Sequence, residues 1–289
     1  MMPTYPKPKI SVIMPSFNQG KFIRRAIQSV LSQEYPNLEL IIIDGGSTDD
    51  TVQVIREYQD AICYFVSEKD TGQSDALRKG FDRANGDIWT WLNTDDQLLP
   101  GALKEVAELF KTQRNLKWVL GNVVWIDKDD IVIKCWRGEN QSRFMAQIGR
   151  LTAGGPSAFF VPSLYHEVGG INVRLTYQMD TELWWKFIVH GYIPRRTKGY
   201  IWALRLHEDA KVSGAMFGDP NTEKQLRIAK AKQDESWQIR EISNSFRFRL
   251  PSWIAVSVGY LRRALSTRFI LGLLDTLRFK NNHIQDINL

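Results

Sequence analysis

Leu92 to Asp96, LNTDD, places two adjacent carboxylates just past an apolar run, Ile88 to Leu92. A run of that kind reads as a buried strand, so the acids stand at the rim of a sheet. Magnesium and manganese ions prefer oxygen ligands and keep waters and substrate phosphates in their shells, so a protein need supply only one or two carboxylates. Asp95 and Asp96 suit that task, with a diphosphate completing the shell. The same residues also suit a turn, in which Asn93, Thr94 and Asp95 satisfy loop amides and Pro100-Gly101 opens the next helix. Both readings stand on these residues alone.

The elements that must position this pair run ahead of it. Ile10 to Met14 is a short apolar strand closed by Pro15, and Phe22, Ile23, Ala26, Ile27, Val30 and Leu31 recur at helical spacing. Leu40 to Ile43 is a second strand. It stops at the turn Asp44-Gly45-Gly46-Ser47-Thr48-Asp49-Asp50, where Thr48 or Asp49 is placed to cap a helix running to about Tyr58. Ile62 to Val66, Ser74 to Ala84 and Ile88 to Leu92 supply strand, helix and strand. Such alternation predicts an α/β fold with an open, twisted, mostly parallel sheet and helices on both faces. Ligands of such sheets bind outside the carboxyl ends of the strands. Pro15-Ser16, Asp44, Glu68 to Asp75 and Asn93 to Asp96 all fall there.

In this order and spacing the segments SVIMPSFNQGKFIRRAIQSVLSQEYPNLELIIIDGGSTDDT, SEKDTGQSDALRKGFDRANGDIWTWLNTDDQLLPGAL, GGPSAFFVPSLYHEVGGIN and MDTELWWKFIVHGY resemble glycosyltransferase family 2. The resemblance covers about residues 9 to 210. It implies a GT-A-like fold, inverting transfer, a nucleotide-diphosphate sugar as donor, and Mn²⁺ or Mg²⁺ as cofactor.

Position by position, the resemblance implies that Asp44 contacts the nucleoside, beside Pro15 and Ser16. It implies that Asp96 is a direct metal ligand and that Asp95 faces the ribose or a metal-bound water. Asn93 stands where many relatives carry Asp, and it adds no charge. Asp70 and Asp75 match donor-side positions, although Asp75 and Arg78 also have the spacing of a helical ion pair. Asp180 matches the catalytic base, which takes the proton of the acceptor hydroxyl as that oxygen attacks the anomeric carbon. On its own, Asp180 also reads as the N-cap of the helix carrying Leu183, Trp184 and Phe187. His207, after the strand-like run Tyr200 to Leu206, matches a ligand of the cation or the diphosphate, and imidazole suits Mn²⁺ better than Mg²⁺. Arg205, Lys211 and Ser213 are expected near the phosphates, with the loop from Glu208 to Asn221 closing over the donor. Trp184 and Trp185 are expected in the core. Gly154-Gly155-Pro156 and Gly169-Gly170 match the acceptor floor.

With 289 residues the chain can bury a full core. The expected division is a catalytic domain over 1–215, with a nucleotide-sugar half to about 115 and an acceptor half from 116, followed by a helical extension over 216–289. Cys63 and Cys135 fit neither a CxxC pair nor a metal cluster and read as reduced thiols. No signal-peptide core and no bilayer-length run stand out, which places the expected location in the cytoplasm or on the inner face of the membrane. Ser245 to Lys280 carries seven basic residues against Asp275 alone, so this stretch holds a net +6, equal to the formal charge of the whole chain. Apolar residues interleave with them, a pattern that suits either an anionic membrane surface or packing on the catalytic domain or a second subunit. No nucleic-acid-binding module accompanies the charge.

The expected function is metal-dependent, inverting sugar transfer to a hydroxyl of a saccharide or lipid-linked saccharide, in cell-surface polysaccharide synthesis. The alternatives are a sugar-nucleotide-forming nucleotidyltransferase, which needs no Asp180, and a catalytically silent binding protein of the same fold. A homo-oligomer is left open.

Overall fold

A computed structural model describes residues 7–152, 157–208, 210, 223–244 and 266–287, together with 257, 260, 261 and 263. Its centre is a nine-stranded sheet in the order β3-β2-β1-β4-β8-β6-β9-β5, with β7 beside β6. Strands β1 (Ile10–Ser16), β2 (Leu38–Asp44), β3 (Tyr64–Ser67) and β4 (Ile88–Trp91) are all parallel. Beyond β4 the sheet is mixed. Strand β8 (Ala158–Phe160) lies antiparallel between β4 and β6 (Trp118–Ile126), β9 (Arg195–Arg205) runs parallel to β6, and β5 (Gln97–Leu98) and β7 (Val132–Trp136) are antiparallel to their partners.

The period of two along each strand explains why the first strands read as unbroken apolar runs. Ile10, Val12 and Met14 face one core with helices α1 (Ile23–Leu31), α2 (Thr51–Arg56) and α4 (Ala102–Thr112), while Ile13 faces the other with α3 (Gln73–Phe81). Both faces are covered, so every β1 residue is buried. Helix α3 rides close on β1 because Gly80 has no side chain; a Cβ there would fall 2.4 Å from Ile13 Cγ2.

The second core is aromatic. Trp184, on helix α7 (Met179–Val189), stacks between Trp91 and Trp118 with ring centroids 5.4 Å away on either side, and Trp185 is buried as well. These rings supply buried area, as expected of both. Two short helices, α5 (Arg143–Gln147) and α6 (Pro162–Glu167), precede α7, and the turn after α6 uses positive φ at Gly169 and Gly170. Cys135 is buried, Cys63 is exposed, and neither forms a disulfide.

The C-terminal helices pack on the sheet and on α7. Helix α8 (Glu223–Asn244) buries Ile239 in the aromatic core. Helix α9 (Thr267–Phe279) lies on β7 through polar contacts: Arg268 donates to Gly138 O and Asn122 Oδ1, Thr276 Oγ1 receives the Cys135 N–H, and Asp275 accepts from Arg137 and Tyr200. Gly154, Gly155, Pro156, Lys211, Ser213 and most of the loop from Glu208 to Asn221 lie outside the described residues, as do Arg247, Arg249 and Arg262.

Candidate active site

The carboxyl ends of β1, β2 and β4 open into a cavity of about 570 Å³. Its wall includes Pro15, Ser16, Gly45 and Asp70 on one side, the loop Asn93 to Asp96 below, and Thr176, Tyr177, Met179 and Asp180 from the start of α7. Residues from distant chain segments therefore share one space. Ser16 Oγ is buried in this wall and has no hydrogen-bond partner among the described residues. An unpaired buried hydroxyl is costly, and a bound ligand would relieve it.

The LNTDD loop makes the turn contacts that its sequence allows and turns its two acids to different partners. Asn93 spends its amide on Gln73 and Asp96, and Thr94 Oγ1 donates to Pro15 O. Asp96 is only 2 % exposed and accepts from the Arg205 N–H at 2.9 Å, from Trp202 Nε1 at 3.2 Å and from Asn93. Burial and the neighbouring Asp95 charge push its carboxyl well above the usual carboxylate range, and those N–H donors offset part of the rise. Asp95 is oriented differently: Oδ2 stands 3.2 Å from His207 Nε2. The His207 ring is held against Phe22, with centroids 4.6 Å apart.

Arg205 does not reach for a phosphate. Its guanidinium is fully buried, where it pairs with Asp130 and donates to Asp95 O and Asp127 O. This clamp fixes the Asp95 loop against the 127–130 turn, and Arg25 closes on the other Asp130 oxygen at 2.9 Å. Arg205 lines the cavity, but each of its three guanidinium nitrogens already has a protein partner.

Two acids expected at the donor do not line the cavity. Asp44 is fully buried, and its oxygens accept from the N–H groups of Gly46 and Ser47 and from the hydroxyls of Ser47 and Ser67. It builds the turn at the end of β2, the role its two following glycines also suggest. Asp75 accepts from the Thr71 N–H and pairs with Arg78 and Lys79, the ion pair that its helical spacing allows. Asp70, the other acid matched to the donor side, does occupy the cavity wall. A Cβ on Gly45 would fall 2.7 Å from Asp70 Oδ2, so the glycine admits the carboxylate, whose pKa is raised by burial.

Asp180 sits in the first turn of α7 and not at its cap. The N-cap position is Gln178, and Asp180 Oδ1 accepts from the Thr181 N–H at 2.6 Å and from its hydroxyl. Burial raises the Asp180 pKa. An acid held above its ordinary range is a better proton acceptor once ionised.

Asp95 lines the cavity and His207 stands just behind it, 3.2 Å away; a carboxylate and an imidazole so placed fit a divalent cation that takes its remaining ligands from water and phosphate oxygens. Among the described residues no group of three His, Cys, Asp or Glu side chains converges.

The model of the family described as "Glycosyl transferase family 2" matches residues 11–161. A GalNAc(5)-diNAcBac-PP-undecaprenol beta-1,3-glucosyltransferase of Campylobacter jejuni subsp. jejuni is 35 % identical over 136 residues, 46 % of this chain and 43 % of that protein. An uncharacterized glycosyltransferase of Rickettsia prowazekii is 30 % identical over 189 residues, 62 % of this chain and 58 % of the relative. The chain thus spans about half the length of the curated relatives it matches. Among solved structures, S. aureus TarS 1–349 in complex with UDP-GlcNAc superposes with a TM-score of 0.61 at 15 % identity, covering 94 % of this chain and 73 % of that one. The mannosyltransferase PcManGT from Pyrobaculum calidifontis, in complex with GDP-Man and Mn²⁺, gives 0.55 at 15 % identity over 94 % and 85 %. At that identity the likeness is one of fold, and the fold is GT-A. By the span of the family match and the order of its motifs, this chain belongs to glycosyl transferase family 2.

Proposed function

We propose that this chain transfers a sugar from a nucleotide-diphosphate donor to a hydroxyl of a lipid-linked saccharide, with inversion at the anomeric carbon. The observation that carries the reading is the single cavity lined by both the Asp95–Asp96 loop and Asp180. In this reading the nucleoside lies along Pro15, Ser16 and Asp70, where the orphan Ser16 hydroxyl finds a partner. Asp95 and His207 hold Mn²⁺ or Mg²⁺, while Asp96 holds the loop. The bound cation supplies positive charge to the leaving diphosphate. Asp180 Oδ1 is engaged with Thr181, so Oδ2 takes the proton of the acceptor hydroxyl. Trp91, Tyr177, Met179 and Leu204 wall the cavity and limit water, which would otherwise compete as acceptor. A nucleotidyltransferase gives Asp180 no task, and the family match favours transfer.

Support for a lipid-linked acceptor comes from two sides. The Campylobacter relative carries an undecaprenol-linked substrate in its name. Helix α9 turns Asp275, Thr276 and Gly272 inward, and leaves Ile270, Leu271, Leu273, Leu274 and Leu277 between 43 % and 81 % exposed on the opposite face. A helix inverted in this way, in the stretch that holds the chain's excess positive charge and whose one acid is tied inward, matches an anionic lipid surface. No helix among the described residues is long and apolar enough to cross a membrane; in this reading the contact is peripheral.

The test is a panel of UDP- and GDP-sugars with and without Mn²⁺, read by thermal stabilisation and by release of the nucleoside diphosphate. Mn²⁺-dependent stabilisation by one donor class, with diphosphate release, supports the reading. Release of pyrophosphate from a nucleoside triphosphate sinks it.

A further inference from the structure

The segment just before Asp180 is gripped by a residue far away in the chain. Glu235, on α8 and only 9 % exposed, accepts hydrogen bonds from three consecutive backbone N–H groups: Thr176 at 2.7 Å, Tyr177 at 2.9 Å and Gln178 at 2.8 Å. Three successive amides turned toward one anion form a concave nest, and charge-assisted bonds of this kind are short and strong. The grip extends on both sides. Gln178 Nε2 donates to Lys232 O at 2.6 Å and to Ser236 Oγ at 2.7 Å, both on α8. Ser74 of α3, the helix on the donor side, donates to Leu175 O. Lys232 stands over the Tyr177 ring, 5.7 Å from its centroid, and Ile239 anchors α8 in the core around Trp184.

This arrangement bears directly on the cavity, because Thr176, Tyr177, Met179 and Asp180 all line it. The helix-initiating residue Gln178 has no side-chain cap of its own, so the direction in which α7 leaves the loop depends on how residues 176–178 are held. We propose that Glu235 is a positioning residue: its carboxylate fixes the 176–178 backbone and thereby aims Asp180 into the acceptor side of the cavity. The C-terminal helices are then part of the machinery for transfer. Movement of α8 would loosen the nest, turn Asp180 away and leave the donor side, built on β1, β2 and β4, intact. The inference rests on the reading of Asp180 as proton acceptor.

Glu235→Gln keeps the size of the side chain but sets an amide N–H₂ against one of the three N–H groups, and Glu235→Asp keeps the charge on a shorter stem. Amide exchange of the full-length protein is the first readout. In Glu235→Gln, exchange over residues 175–181 accelerates while β1 and β4 keep their protection and donor binding is unchanged. Turnover is the second, measured with UDP-glucose, UDP-GlcNAc and GDP-mannose as donors and a synthetic polyprenyl-diphosphate-linked saccharide as acceptor. The kcat of Glu235→Gln falls about 100-fold, the loss expected from a small misplacement, with KM for the donor held, and Glu235→Asp recovers part of it. Unchanged exchange over 175–181, or kcat and KM moving together, overturns the inference. Asp180→Asn is run beside these variants: if it keeps full transfer, the proton-acceptor reading has failed by itself, whereas a dead Asp180→Asn beside a fully active Glu235→Gln refutes the positioning role alone.

Discussion

Asp95 Oδ2 and His207 Nε2 lie 3.2 Å apart although 112 residues separate them in the chain. Asp96, one residue on, points the other way into Trp202 and Arg205. Adjacent residues on an extended turn face opposite sides, so the two acids divide their labour. The outward one is available to a cation, and the inward one ties the loop to β9.

That division predicts different failures. Asp95→Ala removes the Mn²⁺ dependence of donor binding and leaves the fold nearly unchanged. Asp96→Ala strands the Trp202 and Arg205 N–H groups in a buried site, at about 1–3 kcal/mol each, and lowers the unfolding free energy. Chemical denaturation beside Mn²⁺ titration of donor binding separates the two; equal effects on stability would contradict the assignment.

His207→Ala weakens binding of Mn²⁺ more than of Mg²⁺, because imidazole contributes more to the softer ion. The check is the activity ratio of the two ions in wild type and variant. A ratio that stays constant removes His207 from the cation's shell.

Asp180 must be ionised to accept a proton, and burial raises its pKa. Activity therefore falls with an acid limb above the ordinary carboxylate range as pH drops through the folded pKa. The folded state binds this proton more tightly than the unfolded chain, so the contribution to stability is present at low pH and is lost as pH rises through the raised pKa. Asp180→Asn should stabilise the protein at pH 7, give no gain at pH values below the unfolded pKa of Asp, and cut transfer by about 10²–10⁴-fold. Urea unfolding at two pH values, with a rate measurement, tests all three.

Gly45→Ala places a Cβ 2.7 Å from Asp70 Oδ2 and displaces that carboxylate from the cavity wall. Donor affinity falls several-fold while Asp180 is untouched, so isothermal titration of the donor shows the loss and kcat at saturation is retained. Unchanged affinity would remove Asp70 from the donor side.

Replacing Leu273 and Leu277 by Asp puts charge on the outer face of α9 without touching Arg268, Thr276 or Asp275. Co-sedimentation with anionic vesicles is expected to drop to the level seen with neutral ones, with the melting temperature held. If vesicle binding is unaltered and sedimentation velocity shifts from dimer to monomer, the face belongs to a second copy.

The parallel half of the sheet was legible because β1, β2 and β4 are buried on both faces, the half-buried edge strand β3 is still apolar, and all four are bounded by turn residues; Trp184 and Trp185 showed their helical spacing. Asp95, Asp96, Ser16, Pro15 and Asp180 share one cavity as the strand-end rule anticipates. The division between Asp95 and Asp96 was not legible, because it is set by Trp202 and Arg205 on a strand that pairs with the loop only after folding. Arg205 looked like a phosphate ligand because no local signal reveals that Asp130, which adopts positive φ, turns back to neutralise it. Asp44 and Asp75 were likewise consumed by hydroxyls, amides and cations that tertiary packing brings to them. Glu235 gave no signal, since an acid on a polar helix resembles any solvated face until the amides of Thr176 to Gln178 are seen against it.

The most direct test is a crystal structure of Asp180→Asn with a bound nucleotide sugar and Mn²⁺. The account predicts the diphosphate and ion against Asp95 and His207, and the anomeric carbon presenting its opposite face to residue 180. Residue 180 on the diphosphate side of the sugar, or outside the sugar's cavity, would contradict it.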